Sequence, residues 1–97
     1  MSNLFAVLHG TLVTPAISGC GIRGVMRSVV LREAPSLGIQ VQERRLAREE
    51  LDAASELFFT NARVGVWPVA MLGERRLAAA PGAVTAALQA RIAGLRD

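Results

Sequence analysis

The run Gly21-Ile22-Arg23-Gly24-Val25-Met26-Arg27 combines residue types and spacing that suit a ligand. It follows Gly19 and leads into a segment with helical periodicity. The first backbone N–H groups of a helix have no partner inside it, and with the helix dipole they attract an anion. Glycine lets a phosphate come close to the backbone. The same glycines also suit a tight strand-to-helix turn that binds nothing, so the residues by themselves leave both readings open.

Other catalytic sets are poorly supplied. His9 and Cys20 are the single histidine and cysteine; they lie apart in sequence, and His9 falls in a turn, which makes a weak nucleophile–base pair. No cluster has metal-ligand spacing. The glycines do not form a Walker loop, which needs a lysine, and all 11 basic residues are arginine. The only primary amine in the 97 residues is therefore the N-terminus, since a guanidinium stays protonated.

The bulk composition sets further bounds. Ninety-seven residues allow one compact domain or a piece of a larger one, and we expect residues 1–97 to form a single unit. A hydrophobic content of 52% and a mean hydropathy of +0.36 are high for a small domain, so some apolar surface should face a partner or a further segment. The first strand starts close to Met1, as if cut from something longer. No apolar run could span a bilayer and no leader pattern is evident, so a cytoplasmic protein without a membrane partner is expected. The lone Cys20 suits a reducing compartment. Net charge is only +3 despite a pI near 11.0, and arginines alternate with acids in Glu43-Arg44-Arg45 and Arg48-Glu49-Glu50. With aromatics at 4%, this argues against a nucleic-acid partner, and the arginines read mostly as solvated surface.

The elements that would position the glycine-rich run follow from periodicity. Asn3–Leu8 and Thr11–Thr14 read as a hairpin about His9-Gly10, stopped by Pro15. A helix from Gly24 puts Met26, Val29, Val30 and Leu37 on one face; Pro35 should kink or end its last turn, with Gly38 as the C-terminal cap. Ile39–Glu43 alternates as a half-buried strand, and Arg48–Ser55 reads as a short helix with Leu51 and Ala54 inward. Glu56–Thr60 reads as a strand whose Leu57-Phe58-Phe59 predicts burial on both faces. Asn61–Trp67 is expected to be a loop ending at Pro68, with Trp67 a packing residue. Val69–Leu72 and Arg75–Leu77 suggest a second hairpin. A last helix opening at Pro81 carries Val84, Leu88, Ile92 and Leu95 as a buried stripe. Arg27 and Arg32 are structural residues of the first helix in this reading. The expected class is mixed α/β.

Ser2-Asn3-Leu4-Phe5, Val13-Thr14-Pro15 and Gly21-Ile22-Arg23-Gly24-Val25-Met26-Arg27 together resemble the signature of class IV aminotransferases, the fold-type IV pyridoxal-phosphate enzymes. Gly38-Ile39, Val41-Gln42-Glu43-Arg44, Glu50-Leu51-Asp52-Ala53-Ala54, Glu56 to Ala62 and Gly65-Val66-Trp67-Pro68-Val69 continue the resemblance in order. The Asn61-Ala62 pair followed by Trp67-Pro68-Val69 is more similar to the aminodeoxychorismate lyase branch than to the branched-chain one.

The resemblance implies the C-terminal domain of the fold-type IV architecture, incompletely represented. It implies pyridoxal 5'-phosphate as cofactor, non-covalent at best in this chain. Backbone N–H groups of Val25 and Met26, after Gly24, would hold its phosphate, Ile22 would pack on the pyridine ring, and Asn61 with Ala62 would reach the phosphate from the other side. Arg23 and Arg63 flank that place; an arginine fork suits a substrate carboxylate, with surface charge as the alternative, preferred for Arg63. The family's glutamate at the pyridine nitrogen and its cofactor-binding lysine would precede Met1. The activity implied for the parent is elimination of pyruvate to give 4-aminobenzoate in folate synthesis, with branched-chain or D-amino-acid transamination as the alternative. The chain alone would be inactive, and either a homodimer or a missing N-terminal segment is the expected partner. A non-catalytic module for a phosphorylated ligand or a partner chain is the alternative from another class, and a nucleic-acid-binding domain the weakest.

Overall fold

The computed structural model describes residues 3–15, 25–61, 65–72, 75–77 and 82–96. Strands β1 (Asn3–Leu8) and β2 (Thr11–Thr14) form the expected hairpin. His9 and Gly10 both take positive φ, 50° and 79°, which matches the twist of a two-residue hairpin turn. Helix α1 (Val25–Ser36) then crosses to β3 (Val41–Glu43), which runs parallel to β2, a pairing that only a crossover connection allows. Helix α2 (Arg48–Ala53) leads to β4 (Glu56–Asn61) and β5 (Gly65–Pro68). Strands β6 (Met71–Leu72) and β7 (Arg75–Arg76) make a separate ribbon before α3 (Ala83–Arg96). The five-stranded sheet has the order β3-β2-β1-β4-β5.

Helix α1 keeps Pro35 in its last turn, forgoing the N–H that would bond the Leu31 carbonyl, and ends one residue later. Ile39 N–H donates to Ala34 O and Gly38 N–H to Pro35 O, with Gly38 at φ 80°, so the predicted cap is a Schellman motif. Met26, Val30 and Ala34 are buried, with Val29 and Leu37 packed beside them.

Alternate residues of the strands face opposite sides. One side carries Phe5, Val7, Leu12, Phe58 and Val66, and α1 and α3 cover it through Met26, Val30, Ala34, Leu88 and Ile92. Phe5 and Phe58, cross-strand partners, stack with ring centroids 4.9 Å apart. The outer side carries a smaller cluster of Ala6, Ala54, Leu57 and Leu77, with Leu4, Leu8, Leu46, Leu51 and Val69 against it. Arg75 fastens the ribbon to α2 by donating to Leu51 O and Ala54 O at 3.3 and 2.7 Å.

Five expectations need correction. Within the stretch Asn61–Trp67 read as a loop, Asn61 ends β4, and Gly65–Pro68 is an edge strand among the described residues, where Pro68 is tolerated because its missing donor faces no neighbouring strand. Phe58 is fully buried and Leu57 nearly so, but Phe59 is 40% exposed, because α2 and the ribbon stop short of it. Trp67 is 58% exposed and packs into no core. The stripe on α3 holds at Leu88 and Ile92, while Leu95 is exposed beyond the sheet's cover, and Thr85 takes a buried place. Strand β3 is shorter than Ile39–Glu43, because the Schellman cap occupies Ile39. Pro81 lies outside the described residues.

One tie was not foreseen. Glu56 is buried, and its carboxylate accepts from Val84 N–H at 3.1 Å and Thr85 N–H at 2.7 Å, capping α3 from 28 residues away. A Cβ at Gly82 would collide with that carboxyl, so glycine is required there.

Candidate functional site

The carboxyl ends of β2 and β3, the end of β4 and the first turn of α1 share one end of the sheet. Thr14 pairs with Glu43, and Asn3 with Thr60, so these positions mark that end. Arg27 ties the helix to it: buried in the first turn of α1, its guanidinium Nη2 donates to Pro15 O at 3.1 Å and to Glu43 Oε1 at 2.9 Å. Pro15 is the last described residue before the glycine-rich run, and Val25 the first after it. Arg27 therefore holds the two ends of that run together. This gives the structural role read for it from the sequence a geometry. Thr14, also buried, donates from Oγ1 to Leu4 O at 2.7 Å.

In open α/β sheets, ligands bind outside the carboxyl ends of the strands, where helix N-termini present free amides. Val25 and Met26 are the first two residues of α1, so their N–H groups lie in the turn that lacks intrahelical partners. The side chain of Met26 is taken up by the core, leaving only its backbone for a ligand. Asn61 closes β4 at the same end of the sheet. Ile22, Arg23, Gly24, Ala62 and Arg63 lie outside the described residues. The structure thus brings Val25, Met26 and Asn61 to one end and does not place the other five.

Three polar atoms at this end lack hydrogen-bond partners among the described residues although buried, namely Thr60 Oγ1, Arg27 Nε and Asn3 Oδ1. A buried orphan hydroxyl is costly, and Thr60 lies on the helix-covered side of β4. Its hydroxyl can donate to a phosphate oxygen. Asn3 Oδ1 cannot, since both are acceptors. Thr60 escaped sequence reading because nothing local distinguishes an orphaned threonine from one bonded within its strand. The donor set therefore fits the phosphate end of a cofactor, while the lysine-free sequence fits no covalent attachment through a side chain.

The outer face holds a groove of about 370 Å³ lined by His9, Thr11, Gln42, Arg44, Glu49 and neighbours. It contains none of the sequence-predicted site residues. Its Arg44 is committed to Glu50 through two bonds of 3.0 and 2.7 Å. With the Ala47 N–H as a further donor, Arg44 lowers the Glu50 carboxyl to a pKa of about 2.

Comparison with known proteins bears on these features. A curated relative, a probable branched-chain-amino-acid aminotransferase of Thermotoga maritima, is 41% identical over 90% of this chain and 32% of its own length. Branched-chain-amino-acid aminotransferases predominate among the curated relatives that match. Among solved structures, an aminotransferase from Brucella abortus bound to the co-factor PLP superposes with a TM-score of 0.89 at 31% identity, covering 97% of this chain and 33% of that one. The 4-amino-4-deoxychorismate lyase of Pseudomonas aeruginosa superposes with a TM-score of 0.85 at 40% identity, covering 94% and 33%. The chain spans about a third of the length of these proteins, so its fold is part of the fold-type IV architecture. No helix among the described residues is long and apolar enough to cross a membrane. The pattern described as Amino-transferase class IV matches residues 1–72, and the chain belongs to that pyridoxal-phosphate-using family.

Proposed function

We propose that this chain is the part of a class IV enzyme that receives the phosphate of pyridoxal 5'-phosphate. One observation carries the reading: the first turn of α1 opens at the carboxyl end of the parallel pair β2 and β3, locked there by Arg27. The amides of Val25 and Met26 after Gly24 would bind phosphate oxygens, with the Thr60 hydroxyl as a further donor and Asn61 and Ala62 reaching from β4. Ile22 would pack on the ring. When bound, the cofactor supplies an electron sink for bonds breaking at the carbon that bears an amino group. The chain's own part is to orient that group, since no side chain here is an amine able to hold it covalently or relay a proton as lysine would.

For the reaction of the complete enzyme, the prevailing relatives favour transamination of a branched-chain amino acid. The lyase reading, pyruvate elimination yielding 4-aminobenzoate, is supported by the Asn61-Ala62 pair and by 40% identity to the Pseudomonas aeruginosa enzyme. Arg23 is proposed as the carboxylate-binding residue of that site. Replacing Arg23 by Ala in a complete enzyme should raise KM, and an unchanged KM would remove that role. The cytoplasm and a homodimer are the setting this reading proposes. Calorimetric titration tests the cofactor role: pyridoxal phosphate should bind saturably and be displaced by inorganic phosphate, and pyridoxal without the phosphate should bind far more weakly. Equal affinity for both would refute a phosphate cradle.

A further inference from the structure

Glu43, the last residue of β3, stands on a backbone fixed across three strands. It pairs with Thr14 of β2, and Arg44 N–H donates to Thr14 O at 3.0 Å. Thr14 is in turn tied to β1, its Oγ1 donating to Leu4 O at 2.7 Å. From this frame Glu43 Oε1 accepts Arg27 Nη2 at 2.9 Å, and the same nitrogen donates to Pro15 O at 3.1 Å. The Arg27 side chain is 5% exposed and that of Glu43 52%. Arg27 Nε has no partner, so among the described residues those two bonds hold the guanidinium.

Arg27 follows Met26 directly, so whatever fixes its guanidinium bears on the first turn of α1. A buried guanidinium stripped of its counter-charge is costly and leaves its place where it can. In leaving, it would give up Pro15 O, and with it the tie between the two ends of the nine residues 16–24. Amides bind an anion well when they already point at it, because any ordering on binding is subtracted from the affinity. We infer that Glu43 is a positioning residue for the phosphate: through Arg27 it aims the amides of Val25 and Met26 without touching the ligand. This rests on the phosphate-cradle reading and goes beyond it, since α1 and its core contacts alone could hold such a cradle. Charge by itself would act the other way. A carboxylate repels a phosphate dianion, so removing it would tighten binding. Geometry prevails because Glu43 and Arg27 offset each other's charge at a distance, while their hydrogen bond fixes one orientation.

Affinity of the whole chain for inorganic phosphate is measured by calorimetric titration well below the unfolding midpoint, with circular dichroism showing that each variant is folded. Wild type should bind saturably. Glu43→Gln keeps the reach and an acceptor oxygen, and should bind within about threefold of wild type. Glu43→Asp keeps the charge but is one methylene short, and Glu43→Ala removes the bond; both should bind at least about 10-fold more weakly. Glu33→Ala breaks the ion pair with Arg91 near the other end of α1 and should leave affinity unchanged, which separates aiming from general loosening of the helix. Should Glu43→Ala fail to fold, the Asp and Gln variants decide between reach and charge. The inference is overturned if the Ala and Asp variants bind as well as wild type or tighter, if Gln loses as much as Ala, or if Glu33→Ala loses as much. No phosphate binding by wild type would overturn the cradle reading and the inference together, whereas binding that ignores Glu43 overturns the inference alone.

Discussion

The two faces of one sheet are finished to different degrees. The helix-covered face closes within the chain: Phe5 and Phe58 stack at 4.9 Å, and α1 and α3 supply Val30, Ala34, Leu88 and Ile92 above them. The outer face is built from the same strands, one residue out of phase, and its cover ends at Leu57. Period-two alternation makes both faces apolar, but only long-range packing decides which becomes a core. An apolar residue under either cover therefore acts in stability, whereas Phe59 and Trp67, beyond the cover of the outer face, contribute little to it.

Substitutions that cross this divide should differ most. Phe58→Ala should cost about 3–5 kcal/mol, a large fraction of the stability of a small domain, whereas Phe59→Ala next to it should cost under about 1 kcal/mol. Urea unfolding followed by circular dichroism measures both, and equal losses would break the comparison. Arg27→Ala removes charge-assisted bonds to Pro15 O and Glu43 from a buried place on the finished face and should cost about 2–3 kcal/mol. Gly82→Ala drives a methyl group into the Glu56 carboxyl that seats α3, for an expected loss of about 1–2 kcal/mol by thermal unfolding. The smallest effect belongs to the outer face. Glu50 has its pKa lowered to about 2 from an ordinary 4.5 by Arg44 and the Ala47 N–H. Its folded-state value lies below the unfolded one, so the pair contributes stability above about pH 4.5 that is lost as pH falls towards 2. Glu50→Gln should flatten that part of the stability–pH curve, and an unaltered slope would show that the pair contributes nothing.

The elements set by local chemistry could be read from the sequence. The His9-Gly10 turn, the Gly38 cap and the buried stripe of α1 each depend on residues within a few positions of one another. The misreadings share a cause. Phe58 and Phe59 are identical locally, but Phe58 faces the side that α1 and α3 cover and Phe59 the side where α2 and the ribbon stop short. Strand β5 is four residues that open on a glycine and close on a proline, which looks like a loop until β4 pairs with it. The cap that Glu56 places on Val84 of α3 and the tie from Arg27 to Glu43 span 28 and 16 residues, beyond any periodicity. At the candidate site, the sequence put the helix start at Gly24, next to the Val25 where α1 begins, whereas the orphaned hydroxyl of Thr60 follows only from burial.

The central claim, a phosphate cradle at the start of α1, is tested most directly by amide chemical shifts on adding inorganic phosphate to the labelled chain. The account predicts saturable shifts at the amides of Val25, Met26 and Arg27 and little change elsewhere. Shifts confined to the groove around His9 and Arg44, with those three amides unmoved, would contradict it.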